Sequence, residues 1–135
     1  MEGQRQDLIL VIDSDERALS AIKDLLVSDG FDVTTALGIT AAVNSLQSRE
    51  YDLVLVDDHL ADLTSSCFLK QLLRIPRKTP VIVMESAPAR PCGLAPYNAV
   101  RANRFVNKWR ACEILEAARG AQSARLVLES DQPEH

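Results

Sequence analysis

Short runs of apolar residues alternate along this chain with longer amphipathic stretches, and that alternation limits the fold more than any other feature. "LILVI" (Leu8–Ile12) and "DLVLV" (Asp52–Val56) are apolar at nearly every position, so as strands they would be covered on both faces. Between them, "ERALSAIKDLLVSDG" places Leu19, Ile22, Leu25 and Leu26 at helical spacing, with Gly30 as a stop. "FDVTTA" (Phe31–Ala36) alternates and is β-branched, as a strand nearer an edge would be. "GITAAVNSLQSRE" puts Ile39, Val43 and Leu46 on one helical face. Further on, "SSCFLKQLLRI" offers Phe68, Leu69, Leu72 and Leu73 as a helix. "TPVIVM" (Thr79–Met84) and "RFVNK" (Arg104–Lys108) are the fourth and fifth strands. A last helix begins in "ACEILEAARGAQSARLVL" and turns Ile114, Leu115 and Ala118 inward.

Strands separated by helices imply βαβ units, right-handed crossovers and a parallel sheet. The expected fold is α/β: a doubly wound, five-stranded parallel sheet of flavodoxin-like order 2-1-3-4-5. One segment breaks the rhythm. "SAPARPCGLAPYN" (Ser86–Asn98) carries three prolines, each of which removes a helical hydrogen bond. The fourth helix is therefore expected to be irregular or shortened, within Leu94–Ala102. The 135 residues suggest one domain over 8–124, after a polar extension at 1–7 and before the end of the last helix and a polar tail at 125–135.

Composition excludes several classes. A net charge of −4 argues against direct binding of nucleic acid, which needs a clustered basic face. No apolar run approaches the roughly 20 residues that span a bilayer, and "MEGQRQD" lacks the order of a signal peptide, so the cytoplasm is the expected compartment and no membrane contact is expected. Cys67, Cys92 and Cys112 are far apart, without metal-ligand spacing to His59 or His135, and read as free thiols.

Acids and one lysine gather where the strands end. Asp13-Ser14-Asp15 follows the first strand, Asp57-Asp58-His59 the third, Glu85-Ser86 the fourth, and Lys108 closes the fifth. In a 2-1-3-4-5 sheet these ends are neighbours, so Asp13, Asp57, Glu85 and Lys108 should meet in one crevice. Crowded carboxylates repel one another unless a cation joins them. Hard oxygen ligands suit Mg²⁺, which keeps waters and accepts phosphate oxygens. A carboxylate can also attack a phosphoryl group, and a nearby lysine can pair with the phosphoryl oxygens.

"LILVIDSDERAL", "YDLVLVDDHLAD", "TPVIVMES" and "RFVNKW" stand in an order and at a spacing that resemble the receiver domain of two-component response regulators, from Leu8 to about Gly120. The resemblance implies Asp57 as phosphoacceptor, Asp13 as a metal-binding acid and His59 as the donor of a backbone carbonyl to Mg²⁺. It also implies Lys108 as the lysine that pairs with the phosphoryl group, and Phe105 as the switch aromatic, though the residue alone also fits a core filler. Such a module does no enzymology beyond phosphoryl transfer to itself. Its implied partners are a sensor histidine kinase or phosphotransfer protein and a downstream signalling protein, with the chain a monomer or weak homodimer.

The departures from the family pattern are specific. Ser14 stands where the second metal acid belongs, weakening the Mg²⁺ site, and Glu85 stands where a switch Ser or Thr belongs. Trp109 replaces the proline after the lysine and reads as packing or as a partner anchor, with no cis peptide expected. Glu85 is expected to pair with Lys108 and hold it without phosphate. That predicts an atypical receiver, phosphorylated weakly or used as a phosphorylation-independent docking module. Asp58 reads as a solvated neighbour, and Asp15 as a helix cap or a compensating metal ligand. A small haloacid-dehalogenase-like phosphatase is the alternative, from the "DxD" of Asp13 and Asp15.

Overall fold

The computed structural model describes residues 6–61, 66–85 and 104–130. Five parallel strands form one sheet: β1 (Leu8–Asp13), β2 (Asp32–Leu37), β3 (Leu53–Asp57), β4 (Val81–Glu85) and β5 (Arg104–Asn107), in the order β2-β1-β3-β4-β5. The helices are α1 (Glu16–Ser28), α2 (Gly38–Ser48), the single turn α3 (Asp58–Ala61), α4 (Ser66–Arg74) and α5 (Ala111–Ser130). The expected doubly wound sheet is thus the observed one. The proline-bearing segment Ser86–Asn98, and the shortened helix expected within Leu94–Ala102, lie outside the described residues.

The period of two along each strand divides the core. On one face Leu8, Leu10 and Ile12 join Val54, Val56, Val81 and Val83 beneath α2 and α4. On the other, Ile9 and Val11 join Leu53, Leu55, Ile82 and Met84 beneath α1 and α5. β1 and β3 are buried at every position, whereas β2, at the edge, is largely solvent-facing apart from Ala36. α1 buries Leu19, Ile22 and Leu26, as its spacing predicts. It ends at Gly30, whose φ of 96° is a left-handed conformation that suits glycine. In α4 the inward stripe is Phe68, Gln71 and Leu72, continued by Ile75. Leu73, expected inside, is about half exposed because one residue past Leu72 turns roughly 100° away from that stripe.

Two ion pairs tie α5 down at the amino ends of the strands. Asp7, in the segment expected to be a polar extension, is buried, and its carboxylate receives Arg125 Nε at 2.9 Å and a second guanidinium nitrogen at 2.6 Å. This anchors α5 to the start of β1. Arg119 makes a similar two-point contact with Asp29 at the surface end of α1. Among the described residues no helix is long and apolar enough to cross a membrane.

Candidate functional site

Strand register sets the first two acids side by side. Ile12 pairs with Val56, so Asp13 and Asp57, one residue later, end adjacent strands. Both carboxylates fall on the α1/α5 face by alternation, and both are essentially inaccessible to solvent. Lys108 follows β5, and its backbone N–H donates to the Glu85 carbonyl at 2.7 Å. Its Nζ lies 2.7 Å from Asp57 Oδ1 and 2.9 Å from Asp13 Oδ2. One ammonium therefore bridges two carboxylates across three strands.

Each acid is also oriented by backbone. Asp13 Oδ1 accepts from Asp15 N–H at 2.9 Å, and Asp57 Oδ2 accepts from His59 N–H at 3.2 Å. Asp13 Oδ2 is buried, makes no aligned hydrogen bond and meets Lys108 as an ion pair. Burial pushes the Asp13 carboxyl above its ordinary pKa, and the charge of Asp57 acts the same way; the nearby Lys108 ammonium and the Asp15 N–H oppose this without cancelling it. For Lys108, burial pulls the pKa down, but the close contacts with Asp57 and Asp13 and their negative charge outweigh it and the net shift is upward.

The turn that carries Lys108 is built from its neighbours. Asn107 Oδ1 accepts from Trp109 N–H at 2.9 Å, and Glu113 Oε1 accepts from Asn107 N–H at 2.8 Å, locking the turn to the first turn of α5. The Lys108 ammonium lies 5.3 Å from the centre of the Trp109 ring, while Trp109 itself is 59% exposed. No cis peptide occurs among the described residues, as expected with Trp109 in place of proline.

Several expectations change. Glu85 does not take Lys108 by its side chain: the ammonium is held by Asp57 and Asp13, and Glu85 meets Lys108 through its carbonyl. The reason is alternation, which groups Glu85 with Val81 and Val83, opposite the face of Asp57. Asp58 is buried rather than solvated, with His59 Nδ1 at 3.1 Å from its Oδ1. His59 Nδ1 also lies 3.7 Å from Asp57 Oδ2, so Asp57, Asp58 and His59 form a compact group that could hold a metal ion. The only signal for Asp58 was its place directly after a buried strand. Asp15 caps α1, accepting from Arg17 N–H at 2.9 Å, and Ser14 is exposed beside it. Phe105 is 43% exposed, which removes its reading as core filler. Cys112 is a free, exposed thiol.

The chain matches the response regulator receiver domain family over residues 9–120. It belongs to that family. Among solved structures, the signal receiver domain of an HD domain-containing protein from Pseudomonas fluorescens Pf-5 resembles this receiver domain with a TM-score of 0.71 at 27% identity, covering 88% of this chain and 96% of that one. NtrX from Brucella abortus, in complex with ADP, gives 0.74 at 19% identity over 93% of this chain, but the receiver domain spans only 28% of NtrX. The response regulator TrrA from Thermotoga maritima, in complex with Mg²⁺ and BeF, gives 0.68 at 22% identity, covering 86% and 99%. At those identities NtrX and TrrA share a fold with this receiver domain and no more. No curated protein matches the chain.

Proposed function

We propose that this receiver domain accepts a phosphoryl group on Asp57 from a sensor histidine kinase or phosphotransfer protein and passes its state on by protein contact. The observation that carries the reading is the 2.7 Å contact between Lys108 Nζ and Asp57 Oδ1 inside a buried acid cluster. A carboxylate oxygen of Asp57 attacks phosphorus, a P–O bond forms to give an acyl phosphate, and the donor's bond to phosphorus breaks with the donor imidazole as leaving group. Lys108, already beside both acids, is placed to pair with the phosphoryl oxygens as a point charge.

The donor chemistry fits Mg²⁺: two buried carboxylates supply hard oxygens, and Asp13 Oδ2 has no aligned hydrogen bond to lose. Asp13, Asp57 and the His59 carbonyl would hold the ion, whose charge would neutralise phosphoryl oxygens. Ser14 supplies a hydroxyl where a second acid would add charge, which would weaken the hold on the ion. TrrA, which shares the fold, was solved with Mg²⁺ and BeF. Asp15 is committed to capping α1, which supports Asp57 rather than Asp13 as the acceptor and weighs against the phosphatase alternative.

Incubation with acetyl phosphate and Mg²⁺, followed by intact mass, tests this. The expected result is one phosphoryl group on the native chain and none on Asp57→Asn. An unlabelled native chain would instead favour a docking module whose lysine is held by Asp13 and Asp57 without phosphate.

A further inference from the structure

Of the three N–H donors of Lys108, one makes the 2.7 Å hydrogen bond to Asp57 Oδ1, while Asp13 Oδ2 lies 2.9 Å from the ammonium as an ion pair. The ammonium also sits 5.3 Å from the centre of the Trp109 ring, within the range at which an indole face attracts a cation. The Lys108 side chain is 5% exposed while Trp109 is 59% exposed, so a nearly dry ammonium has a solvent-reaching indole as its neighbour.

Consecutive residues do not normally meet in this way, because an extended backbone throws adjacent side chains to opposite faces. The turn after β5 removes that obstacle. Asn107 Oδ1 takes Trp109 N–H, the Asn107 carbonyl takes Arg110 N–H at 3.1 Å, and Glu113 fixes Asn107 from α5. The backbone therefore folds back with the indole close to the lysine head.

We propose that Trp109 is a positioning residue, whose indole face holds the Lys108 ammonium over Asp57. This rests on the reading of Asp57 as phosphoacceptor. The ring limits the lysine to one site, excludes water from the solvent side and leaves the ammonium free to turn toward arriving phosphoryl oxygens without leaving the cluster. An exposed ring makes this contact at little cost to the fold, so its removal should affect phosphoryl transfer and leave stability nearly unchanged.

The test combines labelling rates with emission. Trp109 is the one tryptophan of the chain, so its fluorescence is read alone. Trp109→Ala should slow acetyl phosphate labelling of Asp57 by about three- to tenfold, the scale of a cation–π contact. Trp109→Phe should recover part of the loss, and both variants should unfold at nearly the native temperature. In a Lys108→Met background, Trp109→Ala should have no further effect, because its route to the chemistry is gone. Trp109 emission in Lys108→Met, with native far-ultraviolet circular dichroism, should differ in intensity and maximum from the native protein. Native labelling by Trp109→Ala, equal slowing in the Lys108→Met background, or unchanged emission would each overturn the proposal. Should the native chain take no label, the acceptor role fails by itself, and the emission comparison alone decides the Trp109–Lys108 contact.

Discussion

Asp13 and Asp57 end neighbouring parallel strands and share a single ammonium, Lys108 Nζ, at 2.9 and 2.7 Å. Two buried carboxylates with one cation leave a net negative charge in a dry site, which is unfavourable unless a further positive species is at hand. Lys108→Met should therefore cost the fold about 1–3 kcal/mol at pH 7, below the full cost of breaking a deeply buried pair because the site lies at the strand ends. The deficit should shrink as pH falls and Asp13, whose carboxyl is raised by burial, takes up its proton. Denaturant titrations at pH 7 and pH 4 read both values, and an equal deficit at both would show that charge is not the cause. The native pair itself should persist across neutral pH: a lysine whose pKa is raised in the fold contributes fully below its ordinary 10.5 and loses that contribution only as pH rises through the raised value.

Asp13 gives the opposite sign. Its carboxyl is raised above 3.8 mainly by burial, so the native chain binds that proton more tightly than the unfolded chain. Between 3.8 and the raised value, stability falls as pH rises, and above it the penalty is complete. Asp13→Asn, which keeps an oxygen for Asp15 N–H, should be more stable than the native chain at pH 7 by about 1 kcal/mol or less, after allowance for solvent screening. The difference should close below pH 4. A variant that is less stable at pH 7 would mean that the attraction to Lys108 outweighs desolvation.

Ser14 is exposed directly beside this pair, so a carboxylate can be added there without repacking. Ser14→Asp should tighten Mg²⁺ binding by about tenfold, since affinity at hard-oxygen sites follows the number of charged ligands. Calorimetric titration of both chains with Mg²⁺ provides the comparison. Equal affinities would place the ion away from Asp13, closer to the group formed by Asp57, Asp58 and His59.

The sheet was legible because a parallel strand buried on both faces leaves unbroken apolar runs, as in Leu8–Ile12 and Leu53–Val56. Strand order and the C-terminal position of the acids place Asp13, Asp57 and Lys108 together from the sequence alone. Adjacency of strand ends does not place the Glu85 side chain, because parity matters as well: Glu85 follows Val83 in the alternation, whereas Asp57 follows Leu55. Asp58 and Asp7 were missed for a different reason. An acid is ordinarily read as solvated, and what buries Asp7 is an arginine 118 residues away, which no local pattern reveals.

That distant partner gives the last prediction. Asp7 is 3% exposed and receives two nitrogens of Arg125, at 2.9 and 2.6 Å, with Gln122 Nε2 at 3.5 Å. Planar two-point pairing is specific to guanidinium, so lysine cannot reproduce it. Arg125→Ala strands a buried carboxylate and should cost about 2–3 kcal/mol, with Arg125→Lys recovering only part. The Arg119–Asp29 pair has the same two-point form, but its arginine side chain is 60% exposed, so Arg119→Ala should cost clearly less and its effect should fade with added salt. Urea denaturation of the three variants at low and high salt separates the two pairs. If Arg119→Ala were the more damaging change, α5 would be held to α1 rather than to the start of β1.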